Sequence, residues 1–340
     1  QRRVHGGPSV DSMELKELDG LNFEQKHGKD RVRVARIWRS QDGRHTLVEW
    51  NVSITLFSHC VEAYVRDDNS NIVATDTMKN TVYAKAKECS HQISAEVFAI
   101  SLANHFTSFY NQVYTAQVRV EEKPWERVLV GGVPHNHGFK LGSEKHFCEA
   151  IVRKSGGLKL TSGVASMSLL KTTKSGFEGF VRDYYTTLPE TRERMLATEL
   201  KAKWRYAYDS VLGTPEDPCY FTERYSSVKG VLASMFFGTP MDGVHSASVQ
   251  GTLFQMAKAV LTKLLFFLRY EFFLLCFFKL NCRFADVSAV QLSMPNLHFL
   301  PVNIASKENS IVKFNDDVYL PTDEPHGTIE ASLSRFWSKM

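Results

Sequence analysis

The sequence carries none of the usual marks of a nucleotide or redox cofactor. It has no G-x-G-x-x-G turn and no Walker loop, which leaves dinucleotide binding and phosphoryl transfer unsupported. Cys-x-x-Cys pairs are absent too: Cys60, Cys89, Cys148, Cys219, Cys276 and Cys282 are scattered through 340 residues. A chain this long does not depend on disulfide staples, so the six read as reduced thiols. The one close histidine pair, His135-x-His137, comes without a His-x-x-x-His and reads as a loop pair holding no metal. No charged-then-apolar signal segment opens the chain, which fits synthesis in the cytosol. Charge of one sign is never concentrated either. The 41 Lys and Arg are interspersed with 37 Asp and Glu for a net charge of +4, so there is no basic face for nucleic acid. A weak positive field of this kind suits a small anion.

One apolar block occurs, residues 264–283, broken by Arg269, Glu271 and Lys279. Its longest uninterrupted apolar run, 272–278, is far below the roughly 18–20 residues that a membrane span requires, so no membrane partner is expected.

The length favours two domains. Val32, Val34 and Ile37 mark a first strand, and the strict alternation Val48, Trp50, Val52, Ile54, Leu56 a second. Helices are expected over about 77–89 and from Ser94, where Val97, Phe98, Ile100, Leu102, Phe106, Phe109 and Tyr110 form an apolar face. Ala116, Val118 and Val120 resume the alternation, and another strand is expected over 148–153. The second half repeats this order, with strands over 164–173 and 198–206, helices over 223–237 and 248–263, and strands over 287–294 and 328–336. Strands and helices grouped in this way predict antiparallel sheets with helices on one face. The boundary falls near Ser155-Gly156-Gly157.

In Ile72-Val73-Ala74-Thr75-Asp76-Thr77-Met78 a β-rich stretch turns helical. The first turn of a helix offers free N–H groups and a positive dipole end, so Thr75 and Asp76 stand where a polar substrate could be held. The same residues there can equally be plain caps.

Seven separated motifs carry a resemblance. They are Gly28-Lys29-Asp30-Arg31-Val32-Arg33-Val34, the Thr75-Asp76 run, Lys123-Pro124-Trp125-Glu126-Arg127, the run from Phe177 to Arg194, Ser246-Ala247-Ser248-Val249-Gln250, Met294-Pro295-Asn296-Leu297-His298-Phe299, and Pro-Thr-Asp-Glu-Pro-His-Gly at 321–327. In this order they resemble the urate oxidase (uricase) family, as a plant-like, peroxisomal member. The resemblance runs from about residue 22 to the C-terminus, apart from the block 264–283. It implies an α+β fold of tandem T-fold domains, 22–155 and 156–340, whose antiparallel β-sheets carry helices on one face and close, from several subunits, into a barrel around a tunnel. Residues 1–21 read as a disordered or artefactual leader. The block 264–283 reads as an atypical insertion, such as translated non-coding sequence, since the flanks resume the family pattern.

The activity so implied is oxidation of urate by O2 and water to 5-hydroxyisourate and hydrogen peroxide in purine degradation, with no metal and no organic cofactor. By the resemblance Lys29 and Thr75 form the catalytic dyad and His298 completes its proton relay. Asp76 and Val249 offer backbone N–H groups to the purine, Arg194 and Gln250 grip its edges, Phe177 stacks on it, Leu188 lines the pocket, and Asn296 holds O2 or water. Each has a plainer reading: a surface lysine beside Asp30, a core Phe177, an Arg194 paired with Glu190 one helical turn back, a structural His298. Lys29 and Thr75 would come from a neighbouring subunit, which implies a homotetramer with active sites at subunit interfaces. Ser338-Lys339-Met340 resembles the Ser-Lys-Leu address read by the peroxisomal import receptor, implying a peroxisomal location. The rival reading is a purine-binding protein inactivated because the insertion, between Gln250 and Asn296, misplaces the latter.

Overall fold

The computed structural model describes residues 21, 23–262, 286–302 and 316–335. The leader apart from Leu21, the block 264–283 and the terminal Ser338-Lys339-Met340 lie outside the described residues.

The strands are β1 (His27–Arg39), β2 (His45–Ser58), β3 (Val113–Glu122), β4 (Trp125–Val130), β5 (Val133–Leu141), β6 (Lys145–Arg153), β7 (Leu158–Phe177), β8 (Thr191–Tyr206), β9 (Val287–Pro301) and β10 (Tyr319–Ser334). The longer helices are α1 (Thr75–Glu88), α2 (Ala95–Phe109), α3 (Tyr220–Phe237) and α4 (Val249–Thr262). Eight strands form one sheet in the order β1-β2-β3-β6-β7-β8-β9-β10, antiparallel throughout, while β4 and β5 make a separate hairpin. The order strand, strand, helix pair, strand, strand thus recurs on either side of the β6–β7 turn. That turn is closed by Gly156 N donating to Arg153 O at 2.8 Å, with Gly156 at φ +85, a conformation few other residues adopt. The ladder crosses it unbroken.

Each strand buries one parity of side chains. On β2 Trp50, Val52, Ile54 and Leu56 are fully enclosed and their neighbours half exposed, as the alternation in the sequence demands. Helix residues such as Phe98, Phe106, Phe221 and Met256 join the same core, so the helices cover one face of the sheet. Trp50 stacks on Phe98 at 4.3 Å. Each buried Val, Ile or Leu contributes about 1.5–3 kcal/mol relative to exposure. Ser94 caps α2 by accepting from Val97 N at 3.3 Å.

A polar cluster sits inside this core and joins its two halves. His146 Nε2 meets Glu96 Oε1 of α2 at 2.8 Å, Ser162 of β7 donates to the same oxygen at 2.5 Å, and Tyr225 of α3 stacks on the imidazole at 4.1 Å. Burial alone would raise the Glu96 carboxyl. The His146 charge and the hydrogen bonds from His146 and Ser162 outweigh it and hold the group below its ordinary range. Burial likewise disfavours the His146 imidazolium, but the charges of Glu96 and Glu122 raise it above its usual value.

Several sequence expectations are corrected in extent. The β4–β5 hairpin was not foreseen, although Gly131-Gly132 at its tip, both at positive φ, is a hairpin signal. His135 and His137 therefore lie on a strand rather than a loop. β7 begins at Leu158, β8 at Thr191 and β10 at Tyr319, each earlier than the apolar alternation marks. The added start of β10 is mostly exposed, polar and bulged, so pairing rather than burial carries it, whereas that of β7 buries Leu158, Leu160, Thr161 and Ser162.

Candidate active site

The first group of site residues gathers where β1 meets α1. Lys29 pairs with Ile54 of β2, and the register shifts just after it, with Arg31 in the left-handed region at φ 59. A Cβ on Gly28 would fall on the backbone carbonyl of Ile54, so this close approach needs glycine. His27 Nε2 lies 3.2 Å from the Val73 carbonyl and ties the strand to the segment that leads into α1. The N-cap of α1 is Ala74, with no side chain capping it. The capping reading of Thr75 and Asp76 is therefore corrected: both lie in the first turn, solvent-exposed, where backbone N–H groups have no helical partner. The Asp76 carboxylate reaches forward instead, accepting from Lys79 Nζ at 2.6 Å and Asn80 Nδ2 at 2.8 Å. Lys79, chiefly, and the charge of Lys29 hold that carboxyl below its ordinary range. Lys29, Arg31, Arg33, Lys79 and Tyr83 border an open, basic cleft of ≈ 470 Å³.

The second group lies at one end of β7, β8 and β9. The buried row of β8, Leu200, Thr198 and Leu196, ends in half-buried Arg194, and that of β9, Leu292 and Met294, ends in half-buried Asn296 and His298. Ala197 pairs with Leu297 at the end of the β8–β9 ladder, and Arg194 and His298 lie just beyond that pair on adjacent strands. Arg194 belongs to a strand, which removes the helical ion pair with Glu190. Glu190 Oε1 accepts from Gly179 N at 3.2 Å instead. The Arg194 guanidinium stands 5.4 Å from the centroid of half-buried Phe177, and its Nε is buried without a hydrogen-bond partner. Burial alone lowers its pKa, and among the described residues no carboxylate pairs with it.

Helix α4 is pinned to this place by backbone and side chain together. Ser175 pairs with Arg194 on one side and bridges Ser246 on the other, with Gly176 N donating to Ser246 O at 2.9 Å and Ser246 N to Lys174 O at 2.8 Å. Lys171 Nζ donates to Val244 O at 2.8 Å and to Ser246 Oγ at 2.7 Å, and Thr252 Oγ1 to the same Oγ at 2.8 Å. Ser248 then caps α4 by accepting from Gly251 N at 3.0 Å. The first turn of α4 consequently presents buried Val249 and exposed Gln250 beside the Phe177 end of β7. Leu188, 49% exposed, follows on the loop after Phe177. Lys171 and Ser246 were not assigned from the sequence. The partners of Lys171 stand 65 to 75 residues along the chain, and only the fold brings them together.

One chain does not unite the two groups. From β1 to β8 is five strand spacings, on the order of 24 Å along the sheet. Among the described residues no group of three or more His, Cys, Asp or Glu is arranged to hold a metal ion. His135 Nδ1 accepts from His137 N at 3.2 Å.

The uricase family model matches residues 25–151 and 160–330. Uricase-2 isozyme 2 of Glycine max is 62% identical over 323 residues, covering 95% of this chain and 98% of its own. Uricase of Arabidopsis thaliana is 60% identical over 326 residues, with 95% and 99% covered. The crystal structure of uricase from Arthrobacter globiformis superposes with a TM-score of 0.75 at 29% identity, covering 94% of this chain and 96% of that one. The described fold, an antiparallel α+β arrangement with helices on one sheet face, is the T-fold of those neighbours. With the motifs, the fold and full-length identity of this order in agreement, the chain belongs to the uricase family.

Proposed function

We propose that the chain is a urate oxidase of purine degradation, an oxidoreductase acting on urate with O2. The observation that carries this reading is Arg194: a half-buried guanidinium against the Phe177 ring, its Nε without a hydrogen-bond partner among the described residues, with the first turn of α4 beside it. Such a site suits a flat anion. A guanidinium offers two parallel N–H donors to the edge of a planar anion, Gln250 a donor and an acceptor to another edge, and Phe177 a face. The family membership makes that anion urate.

The balanced reaction is urate + O2 + H2O giving 5-hydroxyisourate + H2O2, in which two electrons pass from the purine to dioxygen and the oxygen of water is added to the ring. No metal or organic cofactor enters it. Lys29 draws the proton from the Thr75 hydroxyl, His298 extends the relay, and Asn296 holds O2 or water above the ring. The Asp76 and Val249 N–H groups and Leu188 complete the pocket. Lys29, Thr75 and Asp76 lie five strands from Arg194, so they serve the site of a second copy of the chain. The assembly is a homotetramer in which two-domain subunits, 22–155 and 156–340, close a barrel. Its location is the peroxisome, reached by the import receptor through Ser338-Lys339-Met340.

The test is the loss of urate absorbance on adding purified protein, with and without a chelator, and with peroxide measured in parallel. Turnover with stoichiometric peroxide, unchanged by chelation and confined to the oligomeric fraction on gel filtration, is expected. No turnover refutes the enzyme reading, and active monomer refutes the shared site.

A further inference from the structure

Phe177 has a neighbour with no role in the reading so far. Phe180 lies parallel to it, ring centroids 4.8 Å apart and planes 7° apart. The Arg182 guanidinium in turn stands 4.8 Å from the Phe180 centroid. Arg182 is engaged twice, because its Nη2 also donates to the Leu188 carbonyl at 2.8 Å. The loop between β7 and β8 is otherwise closed on itself. Asp183 Oδ1 accepts from Tyr185 N and Thr186 Oγ1, both at 2.9 Å, and Arg192 Nε pairs with Glu178 at 2.9 Å across its base.

We propose that Phe180 and Arg182 are positioning residues of the urate pocket, a backing stack that fixes the plane of Phe177 and the place of Leu188. This rests on the urate reading above. With Phe180 parallel on one side, only the opposite face of Phe177 can receive a flat substrate. A half-buried ring at the end of a strand that lacked this backing would sample other rotamers, and the affinity lost in ordering it would fall on the substrate. Arg182 suits both of its tasks because a guanidinium is planar enough to lie over a ring while an N–H at its edge donates to a carbonyl. A lysine ammonium, a compact point charge, does one or the other. The stack thereby links the face that would receive the purine to the wall that would border it, through one exposed side chain.

The test uses the full-length assembled protein with Phe180→Leu, Phe180→Tyr, Arg182→Lys and Arg182→Gln, measuring urate KM and kcat, binding of urate under anaerobic conditions, and the thermal unfolding midpoint. Phe180→Leu and both Arg182 variants should weaken urate binding and raise KM about 3- to 10-fold, the scale of one lost aromatic stack, with kcat changed far less. Phe180→Tyr, which keeps a flat ring, should match the unaltered chain, and all four should unfold at the unaltered midpoint. KM unchanged in Phe180→Leu overturns the proposal. A lower KM there also overturns it, by showing that Phe180 plugs the slot rather than backs it. Loss confined to kcat, or tracking a fallen midpoint, overturns it as well. If the unaltered chain consumes no urate, the functional reading fails instead.

Discussion

The guanidinium of Arg194 shows how much one residue can state before any ligand is present. A cation half withdrawn from water without a counter-charge costs stability, and a binding site recovers that cost when the anion arrives. Arg194→Lys keeps the charge but loses the planar fork. It should lower kcat/KM roughly 10- to 100-fold, the equivalent of one charge-assisted hydrogen bond lost, with little change in folding. Steady-state kinetics beside a melting curve check this. The candidate site is legible in the sequence only as a set of names, because Lys29, Thr75, Phe177, Arg194, Gln250 and Asn296 sit in motifs with recognisable neighbours. Their surroundings were not. Arg194 read equally well as a helical partner of Glu190, and only the pairing of β7 with β8 showed that it extends the buried row of a strand. Asp76 was a cap by local rule, yet Ala74 takes that place and Lys79 and Asn80 take the carboxylate.

Among the elements, α4 is the one whose placement the site depends on most. Three constraints set its first turn: the Ser175–Ser246 bridge, the Ser248 cap and the Lys171 ammonium under the preceding loop. Lys171→Met removes the last, leaving Val244 O without that donor and Ser246 Oγ with Thr252 Oγ1 alone. A cost of about 1–3 kcal/mol in unfolding free energy is expected, together with weaker urate binding through a displaced Gln250. Denaturant melts and anaerobic titration would read the two effects separately. Strands with strict alternation, β2 above all, were visible at once because burial on one face leaves a period of two. The β4–β5 hairpin stayed hidden because its exposed residues, Leu129, Val130 and Val133 among them, follow no inward-outward pattern. The outer end of β10 stays hidden for the same reason.

Over the whole molecule the Glu96–His146 pair binds the helix of one half to a strand–helix contact with the other. Its pH dependence has a definite sign. His146 titrates above its ordinary 6.5 in the folded chain, so its contribution is complete below that pH and is lost as pH rises through the raised value. Glu96 titrates below its ordinary 4.5, so its contribution is present above 4.5 and is lost as acid carries pH through the lowered value. Glu122, raised by burial, adds a loss of stability as pH climbs above 4.5, which Glu122→Gln removes. His146→Gln should lower the unfolding midpoint near neutrality and flatten its decline above pH 6.5. Thermal melts from pH 5 to 9 decide the matter.

The glycine turn between β6 and β7 has a practical consequence. A break between residues 155 and 156 would yield two fragments, each with its own helices, but it would expose along each a raw margin of eight residues that had been paired. Margins so matched in register have one good mate. Co-expressed fragments should therefore reassemble, and the molecule could serve as a split reporter read by the fading ultraviolet absorbance of its own substrate.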